Sequence, residues 1–529
     1  MPQAPDDIAA HGWHPGHNPW AVALTVTIAT FMEVMDISIA NVALPHIAGG
    51  LSAGVDESTW ILTSYLVSNA IVLPISAWLS DRFGRKRFYM SCVALFTASS
   101  FLCGLAPSLG ALIFFRVLQG LGGGGLGPSE QAILADTFPA AKRGMAFAVY
   151  GMAVVLAPAI GPTLGGWITD QYSWRWIFFI NVPFGILSLS LVSFMISDPP
   201  HMRKAREEAQ RSPIDFTGLV LVATGLGALQ VVLDKGQRDD WFASPFITWF
   251  TIFSVSALVV FVIWEWRQKH PIVHLRLYKN SSFAVANLLM LLAFSSLLGA
   301  TLLIPQFAQI SLGYTAEKAG ELLSPGGFAI LAFMPLVGFL SSRVDARYII
   351  AFGLLVVSFA LFRMTNLTLG IDYKTLMMWR VYQAAGMAFI FVPVNTLAYT
   401  DMRPESSNQV AAMTNLARNI GGSVGISAVT TLLARRTQIH QDYLSHHMFQ
   451  YNPRLQQLLS EMTNRAATRA GSAQALRQSY ARLYFLLQQQ ASVLAYIDIF
   501  WILGIITMSA IVLLFFAKKP KPGQAAMGH

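Results

Sequence analysis

Three ionisable residues stand in stretches of this chain that are otherwise almost free of charge. Glu33 and Asp36 fall three residues apart in the apolar run 20–41, so on a helix their carboxylates share a face, and Arg116 falls in the run 109–134. An acid or base among lipid and apolar side chains costs a few kcal/mol unless it meets a partner or a cavity. Counted at about 1.5 Å per residue from the ends of their runs, Asp36 and Arg116 lie at similar depth, so they can pair. Such a pair can be a fixed lock between two helices. It can also be a device in which protonation of the carboxylate frees the base and exchanges with a cationic solute. Intramembrane ionisable groups default to ion pathways, which makes Asp36, Arg116 and, beside them, Glu33 the candidate proton-coupling and substrate-responsive residues.

Other clusters call for different chemistry. Asp81, Arg82, Gly84, Arg85 and Lys86 form a tight loop between two apolar runs, in which Gly84 permits the turn and the charges can pair with neighbouring helix ends. A loop that only fixes topology would be basic as well, but it would not need Asp81. Gly161, Pro162, Gly165 and Gly166 combine a helix kink with close-packing glycines. Arg380, Asn415, Arg418 and Asn419 lie deep in later apolar runs, where they either shape a cavity or hydrogen-bond across helices. Glu130 and Asp498 sit nearer the ends of their runs, where hydration is easier, and structural roles suit them. Gly120, Gly122 and Gly125 spell G-x-G-x-x-G inside an apolar run and not between a strand and a soluble helix, so the dinucleotide reading fails its context. No G-x-x-x-x-G-K-[ST] occurs, so no phosphate-cradling ATP motor is encoded, and any work of moving a solute is expected to draw on an ion gradient, with no cofactor. His11, His14 and His17 have clip-like spacing, but Gly12, Pro15 and Gly16 suit a flexible tail, and no metal site is expected.

The elements that hold these residues follow from composition. The chain is 54% hydrophobic and 12% charged, with a mean hydropathy of +0.51, against roughly 25% charged in soluble domains. Runs of about 20 mostly apolar residues recur about fourteen times, which predicts an all-α polytopic membrane protein in the lipid bilayer. The third, thirteenth and fourteenth runs cover 88–106, 408–434 and 493–517. With both termini in the cytoplasm, the inner short loops and C-terminal tail hold about 20 Lys and Arg and the outer short loops about 5, which sets the orientation. The net charge of +9 is spread between spans and not gathered on one face, so no nucleic-acid partner is expected. Cys92 and Cys103 share one run, three helical turns apart, too far for a disulfide.

The chain also repeats itself at a period of about 264 residues. Leu112-Ile113-Phe114-Phe115-Arg116-Val117-Leu118-Gln119 echoes Leu376-Met377-Met378-Trp379-Arg380-Val381-Tyr382-Gln383, and Leu79-Ser80-Asp81-Arg82 echoes Leu340-Ser341-Ser342-Arg343. Spans two to four thus match spans ten to twelve, leaving spans seven and eight as an inserted hairpin: a 6+2+6 plan. Expected boundaries are a cytoplasmic tail 1–19 that is not a cleaved leader, a six-helix half 20–197, a cytoplasmic linker 198–213, a hairpin 214–265, a second half 266–517 and a cytoplasmic tail 518–529.

Parallel repeats with a midplane site are the plan of the major facilitator fold. Met35-Asp36-Ile37-Ser38 through Pro45, the 79–87 loop, the Arg116 segment and Gly161-Pro162-Thr163-Leu164-Gly165-Gly166 resemble the signature of the major facilitator superfamily. The span count and the Asp36 to Pro45 segment resemble its fourteen-span drug:proton antiporter branch. Phe31-Met32-Glu33-Val34-Met35-Asp36, Trp176-Ile177-Phe178-Phe179-Ile180-Asn181-Val182-Pro183 and the long segment before the last span are similar to the EmrB type. Two departures, Ala77 and Ala157 where the motifs usually have Gly, exchange small for small. The resemblance implies a secondary transporter and not an enzyme. It also implies proton coupling at Asp36 and Arg116, a cytoplasmic gating latch at Asp81, Arg82, Gly84, Arg85 and Lys86, and an antiporter motif at Gly161, Pro162, Gly165 and Gly166.

The expected function is proton-driven export of lipophilic compounds, cationic or amphipathic, across the bacterial inner membrane by alternating access. Export of one dedicated metabolite or siderophore, or a transport-dead sensor on the same fold, are the alternatives. The segment 435–492, rich in Gln, Arg and Leu with breaks near Pro453 and Gly471, is expected outside the cytoplasm. It either meets a periplasmic adaptor leading to an outer-membrane channel or packs on the transporter as a lid.

Overall fold

A computed structural model describes residues 16–199, 213–446, 451–467 and 472–518, with Met202, Arg206, Glu207, Gln210 and Met448 between them. Each of the fourteen expected runs is a helix: α1 Pro19–Gly50, α2 Trp60–Phe83, α3 Arg85–Gly104, α4 Leu109–Thr137, α5 Ala140–Gln171, α6 Trp176–Met195, α7 Phe216–Lys235, α8 Pro245–Arg267, α9 Ser281–Ile310, α10 Ser324–Leu340, α11 Ala346–Met364, α12 Tyr373–Ala398, α13 Ser407–His446 and α14 Ser472–Ser509. Short polar side chains start many of them. The side chains of Asn18, Ser108, Asp215, Asn280, Asp345 and Asp372 each accept from a backbone N–H in the first turn that follows, satisfying donors the helix itself cannot.

Among the described residues eleven helices are long and apolar enough to cross a membrane, and α5, bent by 43° between Lys142–Pro158 and Thr163–Gln171, makes a twelfth. The remaining two, α3 and α13, are more polar. In α13 the reason is position, because Asn408, Gln409, Thr414 and Asn415 are buried inside the molecule and not turned to lipid. Several helices outrun their apolar runs. α1 continues through Pro45 to Gly50, α13 extends to His446 and α14 begins at Ser472, so much of 435–492 is helical extension, with a further helix, Pro453–Ala467, packed on α14. Hydropathy marks where lipid begins; it does not mark where a helix stops.

The sequence repeat is a packing repeat. Within the first half α1 packs on α5 and α6, α2 and α3 on α4, and α3 on α6; in the second, α9 packs on α13 and α14, α10 and α11 on α12, and α11 on α14. The halves meet through α2 on α13 and, as the counterpart, α10 on α5, with the end of α4 against α13 and α12 against α5. α7 lies against α2 and α8, while α8 turns Trp249, Phe253, Val255, Val259 and Ile263 outward, a face that suits lipid.

Candidate functional site

Asp36 and Arg116 meet. Arg116 Nη1 lies 2.6 Å from Asp36 Oδ2, with Asp36 2% and Arg116 0% exposed. The carboxylate is held from three sides, because Gln119 Nε2 donates to Oδ1 at 3.0 Å and Asn181 Nδ2 to Oδ1 at 2.7 Å. Arg116 also donates to Gln119 Oε1 at 2.8 Å and, from Nε, to the carbonyl of Ile61 at 3.1 Å, with the Tyr65 ring 4.3 Å from its guanidinium carbon. α1, α2, α4 and α6 therefore converge on one buried ion pair. They can do so because α4 is glycine-rich on this side: a Cβ at Gly120 would collide with Ser68 and the carbonyl of Tyr65, and one at Gly122 would lie 2.7 Å from the backbone of Phe96. The formal G-x-G-x-x-G is helix packing, as its context implied.

Glu33 is not part of that pair. It accepts from Asn69 Nδ2 at 3.0 Å and from the Tyr65 hydroxyl at 3.4 Å, neutral donors both. Asn69 Oδ1 in turn accepts from Asn419 Nδ2 at 3.1 Å, so a continuous chain of hydrogen bonds runs from Glu33 across the seam into the second half. Arg418 and Asn415 belong to the same seam: Arg418 donates to the Tyr150 hydroxyl at 2.9 Å, and Asn415 donates to Gln131 at 2.9 Å. Of the two uses left open for these residues, they hydrogen-bond between helices, and the helices belong to opposite halves. An open cleft of about 290 Å³ adjoins this seam between α2, α7 and α13, lined by Leu66, Gln230, Asp234 and Ser423 among others.

Glu130 corrects a sequence expectation. It is 0% exposed, hydrogen-bonded by the hydroxyls of Thr30 and Tyr89, and not hydrated, because α4 continues past it to Thr137 between α1, α3 and α13. Asp498 lies where water reaches it, paired with His440 at 2.8 Å and Arg436 at 3.6 Å.

The 81–86 loop clamps the far end of the seam. Arg85 ion-pairs with Asp136 at 2.8 Å and donates from Nε to Asn408 Oδ1 at 2.8 Å, while Asn408 Nδ2 donates to Asp81. Asp136 also accepts from Ser407 at 2.8 Å. Gly84 adopts φ +92°, a conformation glycine reaches without strain, and Lys86 donates its backbone N–H to Asp198 and its Nζ to the carbonyl of Ser193 near the end of α6. Arg82 lies 5.6 Å from the Trp78 ring. On the same side a Cβ at Gly144 of α5 would come 2.8 Å from Ser341 of α10, so the halves are closed together here.

In α5, Gly161 faces Ser38 and Gly165 faces Ile39, where a Cβ would come within 2.8 Å of α1. Gly166 faces open space, and of Pro162 only the backbone is described. Arg380, alone among the second-half candidates, is away from the seam: it reaches Gln383 Oε1 at 2.7 Å and Thr301 Oγ1 at 2.8 Å inside the second half. His11 and His14 lie outside the described residues. Among the described residues no group of three or more His, Cys, Asp or Glu could hold a metal ion, and both cysteines are buried free thiols.

Sequence reasoning did not single out Gln119, Asn181, Asn69, Gln131, Tyr150 or Asn408 as site residues. Neutral amides and phenols in apolar runs do not stand out as charges do, and only their repeated placement beside Asp36, Glu33 and Arg85 reveals them.

Residues 26–426 match the family model described as Major Facilitator Superfamily. The chain is 35% identical, over 94% of its length and 96% of the relative's, to the multidrug export protein EmrB of Haemophilus influenzae. It is 34% identical, over 94% and 96%, to the fatty acid resistance protein FarB of Neisseria gonorrhoeae. Among solved structures, the proton:xylose symporter XylE bound to 6-bromo-6-deoxy-D-glucose superposes with a TM-score of 0.58 at 14% identity, covering 95% of this chain and 96% of that one, a likeness of fold.

Proposed function

Because the chain belongs to the major facilitator superfamily, in its EmrB-type branch, and is a membrane transporter, we propose that it exports lipophilic, amphipathic compounds, cationic ones included, across the bacterial inner membrane in exchange for protons. The buried Asp36–Arg116 pair carries this reading. Protonation of Asp36 cancels the charge that Arg116 holds at 2.6 Å and leaves Arg116 with Gln119, the carbonyl of Ile61 and the Tyr65 ring, none of them a counter-charge, which loosens the grip of α4 on α1. Glu33, one turn earlier on α1, passes the change through Asn69 and Asn419 to the seam. At the other end, the Asp81, Arg85, Asp136 and Asn408 cluster must part for the halves to open toward the cytoplasm, so it acts as the gate. Energy comes from the proton motive force, and both termini face the cytoplasm. The helical protrusion of α13, Pro453–Ala467 and α14 then lies outside, where its exposed Tyr480, Tyr484 and Phe485 suit a periplasmic adaptor that hands substrate to an outer-membrane channel.

The test is Asp36→Asn in sealed vesicles, which keeps the size and removes the titratable charge. Substrate-triggered proton movement and uphill export should be lost while the protein still inserts; wild-type export against a gradient would take Asp36 out of the coupling role. Orientation is checked with single cysteines at Arg85 and Arg477 in a background lacking Cys92 and Cys103. Arg85→Cys should be labelled only from the cytoplasm and Arg477→Cys only from outside.

A further inference from the structure

The Arg-x-x-Gln pair of α4 has a twin in α12 that lacks its acid. In the first half, Arg116 Nη1 and Gln119 Nε2 grip the two oxygens of Asp36 at 2.6 and 3.0 Å. In the second half, the Arg380 to Gln383 hydrogen bond is kept at 2.7 Å, but the residue on α9 that reaches Arg380 is neutral Thr301. The donors that hold Asp36 and the Ile61 carbonyl in the first half, a glutamine Nε2 and an arginine Nε, are here Gln383 Nε2 and Arg380 Nε, both buried with no hydrogen-bond partner among the described residues. Arg380 is 7% and Gln383 0% exposed, and no carboxylate lies within ion-pair distance of Arg380 among the described residues. A buried guanidinium without a counter-charge is costly, and two further unmet donors beside it add to the cost. Gly326 of α10 lies against the Arg380 side chain, where a Cβ would come 3.3 Å from Cγ and 3.5 Å from Nε, so on that side no side chain of residue 326 crowds Nε. Thr301 is only part-buried, which gives the site an approach along α9.

We propose that Arg380 and Gln383 form a carboxylate-binding subsite for exported compounds, in which the cargo's own carboxylate takes the place that Asp36 holds in the first half. A carboxylate is the anion of choice because the same residue pair already grips one in this protein. The inference rests on the export reading and adds to it an acidic class of amphipathic cargo.

The test is binding of 1-pyrenebutyrate and its uncharged analogue 1-pyrenebutanol to the purified full-length protein, read by quenching of tryptophan emission. Wild type should favour the carboxylate at least tenfold, as a charge-assisted contact requires. Thr301→Asp supplies an internal carboxylate, and Arg380→Gln removes the cation; in both, the preference should fall toward one. If Thr301→Asp does not fold, Arg380→Gln decides, with gel filtration as the check on its state. Pyrenebutanol bound as tightly as pyrenebutyrate by wild type would overturn the subsite while leaving lipophilic export standing. A preference that survives both variants would overturn it as well. Displacement of pyrenebutyrate by phosphatidylglycerol would overturn the assignment to cargo in favour of a lipid headgroup.

Discussion

Arg116 in α4 donates to Gln119 at 2.8 Å, and Arg380 in α12 donates to Gln383 at 2.7 Å, so the two halves keep one local geometry across about 264 residues of chain. What surrounds the pair differs. In the first half it closes on Asp36, which Asn181 also holds, and on the carbonyl of Ile61; in the second it reaches Thr301 and stops. Packing alone accounts for the common part, since α2 and α3 each pack on α4 as α10 and α11 each pack on α12. The difference lies in side chains that packing does not dictate. One half neutralises its buried base internally, and the other leaves the base facing a place where a charge can come and go.

The sharpest way to break this comparison is to remove each arginine. Arg116→Ala leaves Asp36 buried without its cation, and breaking a buried pair in this way costs about 3–5 kcal/mol. Arg380→Ala orphans no carboxylate; it loses hydrogen bonds to Gln383 and Thr301 worth about 1 kcal/mol each and also removes an uncompensated charge. Thermal unfolding in detergent should therefore rank wild type and Arg380→Ala close together and Arg116→Ala far below. Equal losses would mean that the halves hold their arginines by the same balance.

Much of this was legible in the sequence, for a physical reason. Charges in apolar runs are rare because they are costly, so Asp36, Arg116 and Arg380 could be picked out one by one and the first two paired by depth alone. The fourteen runs and the repeat of Leu112 to Gln119 in Leu376 to Gln383 gave the helices and their order. Neutral polar residues were not legible. Asn69, Gln131 and Asn408 read as mild blemishes in apolar runs, although they carry the hydrogen bonds between halves. Glu130 was misplaced toward water because its distance from the end of a run was read as depth, whereas its burial comes from α1, α3 and α13 crossing over it. The ends of α1, α13 and α14 were not legible either, since a helix leaving lipid needs no apolar side chains to continue.

A smaller effect tests the seam where the halves touch. Asn408 of α13 bridges Asp81 and Arg85 of the first half, accepting from one and donating to the other. Asn408→Ala removes both bonds, and hydrogen bonds to charged groups are worth about 1.5–3 kcal/mol each, part of which water recovers when the seam opens. With Ser341→Cys as a reporter facing Gly144, labelling by a water-soluble thiol reagent should speed up about tenfold, the factor that corresponds to about 1.4 kcal/mol. An unchanged rate would assign the closure to the glycine contact of α5 and α10 alone.

The smallest effect on transport itself is expected where the halves differ most in length. The first half joins α5 to α6 through the few residues 172–175, while the matching join in the second half carries the ends of α13 and α14 and the helix Pro453–Ala467 between them. Leu483 and Leu487 of α14 are buried, whereas Tyr480, Tyr484 and Phe485 on the same stretch are exposed. Such a folded but unfinished apolar surface is a docking face if a partner covers it and a lid if it moves over the transporter's own mouth. Replacing 440–488 with a short Gly/Ser linker separates the two. It deletes His440, but Asp498 keeps Arg436 at 3.6 Å, so the base of the bundle retains an ion pair. A docking face predicts nearly wild-type transport in isolated vesicles, where only the inner membrane must be crossed, together with loss of resistance in cells, where the compound must leave the envelope. Loss of transport in vesicles as well would mark the segment as a lid. Full resistance in cells would exclude both roles and leave the asymmetry between the two joins without a part in export.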